Sequence, residues 1–388
     1  MSDVLTFNTV ASLPTTGQSP PNDENADISV SSLTVTNGSS PFIGAAQVRT
    51  NAASVTFENC SFENSTAGFG AGLNIFTTSG GITINMNAFT NNTATFGGGM
   101  AITTTSGVMT LFQNSFSGNN ATDGGAGSIE NTNGTVSLES NLVNANRADN
   151  RGGGFRINIV SGELIAVNNI FANNSANSGG AMNINNSAGE VTLTSNTFTE
   201  NSAVDSGGAL SIFVTNDDSV TDIYNNIFWL NTIILGNGVD LFISDDVNGN
   251  PIGSEVNLFN NDISNFFSFC EQVAGCAPDV STGDNINENP DFVDPASLDF
   301  RLQGGSPAID AGDTDAPSLP ATDFAGNPRI NNGETDMGAL EFKGGRGGSS
   351  SCSLAEPDTK AYNPIFLLLA PILFVILRRQ LTAIRKRV

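Results

Sequence analysis

The sequence predicts an all-β fold, a right-handed parallel β-helix built from coils of about 27 residues. Three observations indicate this fold: a repeat that keeps its spacing over seven units, short stretches of alternating apolar and polar residues, and glycine groups at one place in most units. Before residue 360 no stretch has a sustained helical period. Stacked coils can together bury a core that a single coil cannot.

Three columns of residues define the repeat. The first is an Asn column that comprises Asn87, Asn114, Asn141, Asn169, Asn196 and Asn226, with Cys60 one unit upstream. Two positions later stands a column of large apolar residues: Phe62, Phe89, Phe116, Val143, Phe171, Phe198 and Phe228. Three positions further lie Ser65, Asn92, Asn119, Asn146, Asn174, Asn201 and Asn231. We expect the Phe column to form an interior aromatic stack, and the Asn residues to occupy αL corners and bond from coil to coil.

Each unit is predicted to contain two strands separated by turns. Residues 82–85 and 191–194 alternate apolar and polar side chains, and residues 209–212 do so after a glycine pair. This period is typical of strands with one buried face.

The repeat motifs resemble those of a known family. Phe171-Ala-Asn-Asn174 is followed by Gly179-Gly-Ala-Met182, and the same pairing recurs in other units. It resembles the repeat signature of the polymorphic outer membrane proteins and related bacterial β-helices, over about residues 50–265. The resemblance implies a β-helix of the bacterial envelope or exterior, with a scaffold that also carries adhesins, lyases and inert stalks.

A second resemblance covers residues 287–342, after a β-helix at residues 1–286. Asn289-Pro-Asp-Phe-Val-Asp-Pro295, Gly305-Ser-Pro-Ala-Ile-Asp-Ala-Gly-Asp313 and Asp336-Met-Gly-Ala-Leu-Glu341 follow in order and resemble the choice-of-anchor Q region. That region implies a surface protein whose attachment segment lies downstream. We expect residues 287–342 to cap the solenoid and hide its last open edge.

The C-terminal residues form a predicted flexible linker, 343–362, and a membrane-directed tail, 363–388. The apolar run 365–377 contains Pro371 and precedes a basic cluster at 378–387. A helix of this length spans only about 20 Å. The tail resembles the tripartite Gly-Gly C-terminal sorting signals, which implies a sorting protease and cleavage between Gly344 and Cys352. A short membrane helix retained as a tail anchor is the alternative.

The N-terminus lacks the charged and apolar regions of a signal peptide. An exported protein needs one, so we expect the natural chain to start further upstream. With this export we expect a location in the cell envelope, at the cell surface or outside the cell.

Charge and composition exclude several functions. The net charge is −24, and there is no histidine. An acidic body argues against nucleic acid as a partner. The absence of His removes the usual zinc ligand and a Ser-His-Asp triad.

Few residues are candidates for chemistry. Arg147, Arg151 and Arg156 cluster in sequence with Asp149, which fits either a lyase-like site or a salt-bridged corner. Two groups of aspartates are candidates for the carboxylates of a glycoside hydrolase, and both groups are also explained as ordinary loop residues. They are Asp217, Asp218 and Asp222, and the pair Asp245 and Asp246.

Calcium is the cofactor that the acidic loops favour. The first candidate site comprises Asp245, Asp246, Asn248 and Asn250, which offer oxygen ligands around a glycine turn. The second comprises Asp310, Asp313, Asp323 and Asp336. Ordinary Asx-turns explain either set without a metal. Cys270 and Cys276 fit a disulfide, and Cys60 a buried side chain.

Two classes of function remain. The first is a non-enzymatic surface or secreted protein, an adhesin or glycan-contacting stalk, with polysaccharide or a host or neighbouring cell surface as partner. The alternative is a polysaccharide lyase or glycoside hydrolase of pectin-lyase-like fold. A cleft with several carboxylates favours the enzyme, and uniformly short turns favour the stalk.

Overall fold

The computed structural model describes residues 5–8, 27–42, 44–215, 219–245, 254–270, 279–331 and 333–344. For residues 5–8, 245, 268–270 and 279 it describes the backbone alone. The chain divides into two units, Met1–Phe342 and Lys343–Val388. Of the second unit, with its linker and tail, only Lys343 and Gly344 are described. The described residues contain no helix long and apolar enough to cross a membrane.

The first unit is a parallel β-solenoid, which confirms the predicted all-β architecture of repeated coils. Four parallel sheets run along its length, numbered here in the order in which the chain enters them within a coil. Sheet 1 comprises Ile28–Ser31, Val55–Glu58, Ile82–Asn85, Val108–Phe112, Thr135–Glu139, Glu163–Val167, Glu190–Thr194, Val220–Tyr224, Glu255–Phe259 and Asp279–Gly283. Sheet 2 comprises Thr34–Thr36, Ser61–Glu63, Ala88–Thr90, Ser115–Ser117, Leu142–Asn144, Ile170–Ala172, Thr197–Thr199 and Ile227–Trp229.

The other two sheets complete each coil. Sheet 3 comprises Thr66–Phe69, Thr93–Phe96, Asn120–Asp123, Arg147–Arg151, Ser175–Ser178, Ser202–Ser206 and Thr232–Ile233. Sheet 4 comprises Leu5–Asn8, Ala46–Arg49, Leu73–Thr77, Met100–Thr104, Gly127–Asn131, Phe155–Ile159, Met182–Asn186, Leu210–Val214, Leu241–Asp245 and Phe266–Cys270. The seven coils between residues 55 and 245 therefore have four short strands each, and the prediction of two was wrong. The strands of sheets 1, 2 and 3 are separated by bends of only two residues, too short to show as turns in an alternation pattern.

Single αL residues make the bends between these sheets. At the bend from sheet 1 to sheet 2 they include Met86, Gln113 and Asn168, with φ between 52° and 57°. These residues lie one position before the Asn column, so the prediction that the column itself occupies the αL corners was wrong. Because the αL residue turns the backbone, the residue that follows it is buried at the bend. The column Asn residues are accordingly buried.

The predicted bonding from coil to coil is confirmed. The Asn114 side-chain Nδ2 donates to Oδ1 of Asn141 at 3.0 Å and to the Ile84 carbonyl at 2.7 Å, and the Asn114 backbone N–H donates to the same Oδ1 at 2.9 Å. The ladder continues through Asn261 and Asn285, which the regular spacing does not reveal. Each Asn thus satisfies polar groups at a buried bend, where an unmade hydrogen bond costs about 1–3 kcal/mol.

The Phe column forms the predicted interior stack. Phe62, Phe89 and Phe116 are fully buried, with successive ring centroids 5.0 and 4.7 Å apart. Phe171, Phe198 and Phe228 form a second run at 5.0 and 4.8 Å. These six rings share one apolar core with the inward residues of sheets 1 and 4. Cys60 is also buried, as predicted, and its thiol is free.

Residues 292–342 lie along the flank of the solenoid, over the outer face of sheet 2. They contain an antiparallel pair, Phe292–Asp294 and Asp299–Leu302, joined by the 3-10 turn Pro295–Ser297. Their apolar side chains form a second core with outward residues of sheet 2, among them Leu142, Ile170 and Ile227. Residues 292–342 therefore pack against the side of the solenoid, and a cap over its last open edge stays a prediction.

The sequence of sheet 2 explains this position. In earlier coils the corresponding outward residues are Ser61, Ala88 and Ser115, which do not form an apolar face. From Leu142 onwards the outward residues are apolar, with the exception of Thr197. They form an apolar face, and the C-terminal segment covers that face.

Candidate functional site

The basic residues predicted to cluster lie on two different sheets. Arg147 on sheet 3 pairs with Asp149 at 2.7 Å, and both side chains are exposed. Arg156 on sheet 4 pairs with Glu130, whose other carboxylate oxygen accepts a hydrogen bond from Asn158 at 2.7 Å. The two pairs thus have separate partners. The exposed pair of Arg147 and Asp149 contributes roughly 0–1 kcal/mol to stability.

Most of the first calcium candidate lies outside the described residues. Asp246, Asn248 and Asn250 are not described, and Asp245 is described only as backbone in the strand Leu241–Asp245. The same holds for Asp217, Asp218 and Cys276, and Cys270 is described only as backbone. Asp222 is described and accepts a hydrogen bond from Asn257 Nδ2 at 3.0 Å. Calcium at this loop stays a prediction.

The aspartates of the C-terminal segment form turns. Asp323 Oδ1 accepts hydrogen bonds from the N–H groups of Ala325 and Asn327, at 3.0 and 2.7 Å. Asp336 Oδ1 accepts from the Asp310 N–H at 2.8 Å, and Asp313 Oδ1 from the Asp315 N–H at 2.9 Å. Within the described ranges no three acidic or Cys side chains are grouped so as to hold a metal ion. The contacts of Asp323 with Ala325 and of Asp313 with Asp315 are Asx-turns, whereas Asp336 joins two parts of the segment that are 26 positions apart.

A buried arginine links the C-terminal segment to the solenoid. The guanidinium of Arg329 is fully buried and donates to Glu341 at 2.8 Å, to the Gly338 carbonyl at 3.0 Å and to Oδ1 of Asn168, an αL corner residue of the solenoid. Burial lowers the pKa of Arg329 from its ordinary value, and Glu341 opposes that change. Burial likewise raises the pKa of Glu341 against the pull of Arg329. The hydrogen bond from Arg329 to Asn168 therefore joins the segment to the solenoid, and Glu341 supplies the buried counter-charge.

A cleft of about 250 Å³ lies where this segment meets sheet 2, and we call it the flank cleft. The solenoid contributes Thr199, Glu200, Trp229 and Leu230. The other wall comprises Phe292, Pro295 and Gln303 of the C-terminal segment, together with Asn289 and Asp291 just before it. Aromatic and apolar side chains thus share one concavity with carboxylate, amide and hydroxyl groups.

Local structure holds both walls in place. Thr199 and Trp229 end neighbouring strands of sheet 2 and stand side by side in its ladder. On the other wall, Gln303 Nε2 donates to the Phe292 carbonyl at 2.8 Å, and the Asp291 N–H donates to Oδ1 of Asn289 at 3.1 Å. Because the Gln303 amide nitrogen is held in this way, its oxygen remains as the acceptor.

The corner residues of the cleft depart from the pattern of the repeat. The αL position between sheets 2 and 3 is occupied by Asn37, Asn64, Asn91, Gly118, Ala145, Asn173, Glu200 and Leu230. Asn and Gly adopt αL at low cost, whereas other residues do so at roughly 1–2 kcal/mol. Glu200 and Leu230, both with φ of 54°, line the flank cleft.

Thr199 has an unusual buried hydroxyl. The residue is 1% exposed, and its Oγ1 has no hydrogen-bond partner among the described residues.

Sequence reasoning did not identify this cleft. The two signals that point to it are the single Trp of the chain and the loss of Asn or Gly at two successive corners.

Comparison of the chain with protein-family models, with curated proteins and with solved structures gave no match. The site is therefore interpreted from its own geometry.

Proposed function

We propose that the protein is a non-enzymatic β-solenoid of the bacterial cell surface or exterior that contacts glycans, as an adhesin or stalk. The observation that supports this function is the presence of stacked aromatic side chains on the outer faces of the solenoid. Phe69 and Phe96 on sheet 3 stack at 5.2 Å, and Phe69 is 48% exposed. Tyr224 and Phe259 on sheet 1 stack at 5.5 Å.

Exposed rings in a column suit sugar recognition. The C–H groups on one face of a pyranose pack against a flat ring, and a column of rings offers such contacts along the solenoid axis. Phe42 occupies the same column position as Phe69 one coil earlier and is 74% exposed. Phe76 on sheet 4 is 46% exposed and lies under the Arg49 guanidinium, 5.4 Å from the ring centroid. Contiguous exposed apolar patches on a protein surface mark interaction or ligand-binding sites.

The charge of the protein restricts the partner. A chain of net charge −24 repels polyanions, so neutral polysaccharide on a host or neighbouring cell fits better than a polyuronate or nucleic acid. Attachment is proposed from the choice-of-anchor Q resemblance of residues 287–342 and from the sorting-signal resemblance of the tail. In this proposal a sorting protease cuts between Gly344 and Cys352 after the tail has engaged the membrane.

One observation favours the enzymatic alternative. Glu200 and Asp291 contribute a carboxylate to each wall of the flank cleft, and glycoside hydrolases use paired carboxylates. A polysaccharide hydrolase at this cleft is therefore the second candidate, and release of reducing ends from neutral polysaccharides is its assay.

The direct test is retention of the full chain on insoluble neutral polysaccharides and on a polyuronate gel. We expect retention on the neutral polymers and none on the polyuronate. Phe69→Ser should weaken the retention, whereas Val108→Ser, which removes an exposed side chain that is not aromatic, should not. Equal retention of both variants would contradict the proposal.

Mass spectrometry of the mature protein from its native host tests the tail, since an intact C-terminus through Val388 in surface fractions would contradict cleavage.

A further inference from the structure

We propose that the flank cleft binds one neutral pyranose ring, such as the terminal residue of a glycan. The inference rests on the proposed glycan contact and assigns it a specific site and sugar class. The size of the cleft supports a single ring. At about 250 Å³ the cleft lies below the range of about 300–1,000 Å³ that is usual for drug-sized ligands.

The lining matches the two kinds of surface on a pyranose. Trp229, Phe292 and Pro295 provide apolar area for the C–H face of the ring. Glu200, Asp291 and the oxygen of Gln303 provide acceptors for the hydroxyl groups around its edge. Ionised carboxylates form charge-assisted hydrogen bonds with hydroxyl donors, and such bonds are about twice as strong as neutral ones.

The Thr199 hydroxyl is an independent sign of a ligand. Buried polar side chains almost always have a hydrogen-bond partner, and leaving one unpaired is unfavourable. Thr199 lines the flank cleft. Its Oγ1 is buried, and none of the residues that the structure describes forms a hydrogen bond with it. Rotation of the Thr199 side chain would bring this hydroxyl to the cleft, where a sugar hydroxyl would supply the partner.

The two corner residues indicate that the chain gives up stability at this place. A Leu and a Glu in αL are both less favourable than the Asn found at four other corners of the same column. Ala145 also departs from the pattern but does not line the cleft. Local conflicts between sequence and backbone concentrate at functional sites.

Charge selects the class of sugar. Among the residues that the structure describes, two carboxylates and no cationic side chain line the cleft. A uronate would place a third negative charge beside them without a counter-ion, whereas a neutral ring donates hydroxyl hydrogens to both. The ligand is therefore a neutral pyranose and not a uronic acid.

Fluorescence provides a site-specific test because Trp229 is the only Trp in the chain. The full chain is titrated with glucose, galactose, mannose, N-acetylglucosamine and glucuronate. We expect a saturable change in emission with at least one neutral sugar and none with glucuronate. Thr199→Val and Glu200→Gln should each weaken binding about tenfold, the factor that one lost hydrogen bond produces.

The matched control is Thr90→Val. Thr90 stands in the same outward row of sheet 2 as Thr199, which runs through Ser117, Asn144 and Ala172, but it does not line the cleft. It should bind like the parent, and melting curves confirm that all variants fold. Absence of a signal with every neutral sugar, equal binding of glucuronate, or unchanged affinity of Thr199→Val would each overturn the proposal. Retention on polysaccharide without a cleft signal would overturn this inference and leave the proposed function standing. Sugar release that is lost in Asp291→Asn would overturn it in favour of the hydrolase.

Discussion

The ring of Phe155 fills the gap that Val143 leaves in the interior aromatic stack. Val143 stands in the Phe column between Phe116 and Phe171. Phe155, from sheet 4, lies edge-on to both rings, with centroids 5.1 and 6.4 Å away. Gly127 on the neighbouring strand makes room, because a Cβ there would lie 2.5 Å from the Phe155 ring. One small residue in the column is thus offset by one large residue across the core.

Val143→Phe should therefore destabilise the protein, although it restores the consensus residue. The new ring would compete with Phe155 for the same space, and overpacking costs about 1–3 kcal/mol. Adding Phe155→Met, the residue that Met100 and Met182 supply in other coils, should recover most of the loss. Chemical denaturation of the two single variants and the double variant measures the coupling. Additive effects would contradict the packing relationship.

Asp262 should make stability depend on pH. It is fully buried, and burial, with the nearby Asp240 and Glu288 as further causes, raises its pKa to about 7. The unfolded value is about 3.9. The folded state therefore holds the proton more tightly, so this contribution to stability is complete below about pH 4 and is lost as the pH rises towards about 7. The steepest loss is about 1.4 kcal/mol per pH unit.

Asp262→Asn should remove this part of the pH dependence and raise the melting temperature at pH 8. Melting curves between pH 4 and 8 measure the effect. The control is Asp149→Asn, in an exposed pair, which should leave the curve nearly unchanged. Parallel curves for Asp262→Asn and the parent would refute the assignment.

Arg329→Met should cost about 3–5 kcal/mol, because it leaves Glu341 buried without its counter-charge. The double variant Arg329→Met with Glu341→Gln should be more stable than the single one. Arg147→Met removes an exposed partner of Asp149 and should cost less than about 1 kcal/mol. Urea unfolding gives the three values. A loss for Arg329→Met as small as that for Arg147→Met would show that Arg329 does not hold the C-terminal segment in place.

Leu230→Asn should stabilise the protein by about 1 kcal/mol, since Asn tolerates the αL backbone at this corner better than Leu does. The reverse change in the same column, Asn173→Leu, should destabilise it by a similar amount. Thermal melting decides the matter. The idea fails if Leu230→Asn is no more stable than the parent.

Calcium should raise the melting temperature if the loop with Asp245, Asp246, Asn248 and Asn250 binds it, because binding to the folded state stabilises that state. Melting in millimolar calcium and in chelator tests this. A variant with Asp246→Asn and Asn248→Ala should abolish the difference. Identical curves with calcium and chelator would leave these residues as turn formers.

Much of the fold was readable from the sequence because a solenoid repeats its local chemistry. Asn114 and Phe116 recur one coil away as Asn141 and Val143, so the spacing alone predicts the stacking, the inward Phe and the bonded Asn. The number of strands per coil was not readable. Bends of two residues leave no visible pattern between such short strands. The αL position at the bend is occupied by residues as different as Met86, Ser140 and Asn225, so no residue type marks it.

The sequence by itself determined the coils, since each residue there meets its own equivalent in the next coil and the interaction is fixed by the repeat. Only the tertiary structure decided where residues 292–342 lie and what they enclose. Arg329 meets Asn168 across 161 positions of the chain, and Asp291 faces Trp229 without any repeat to relate them. Such contacts depend on how two surfaces of different sequence fit together, and no periodicity encodes that fit. The flank cleft was therefore visible only once the chain had folded.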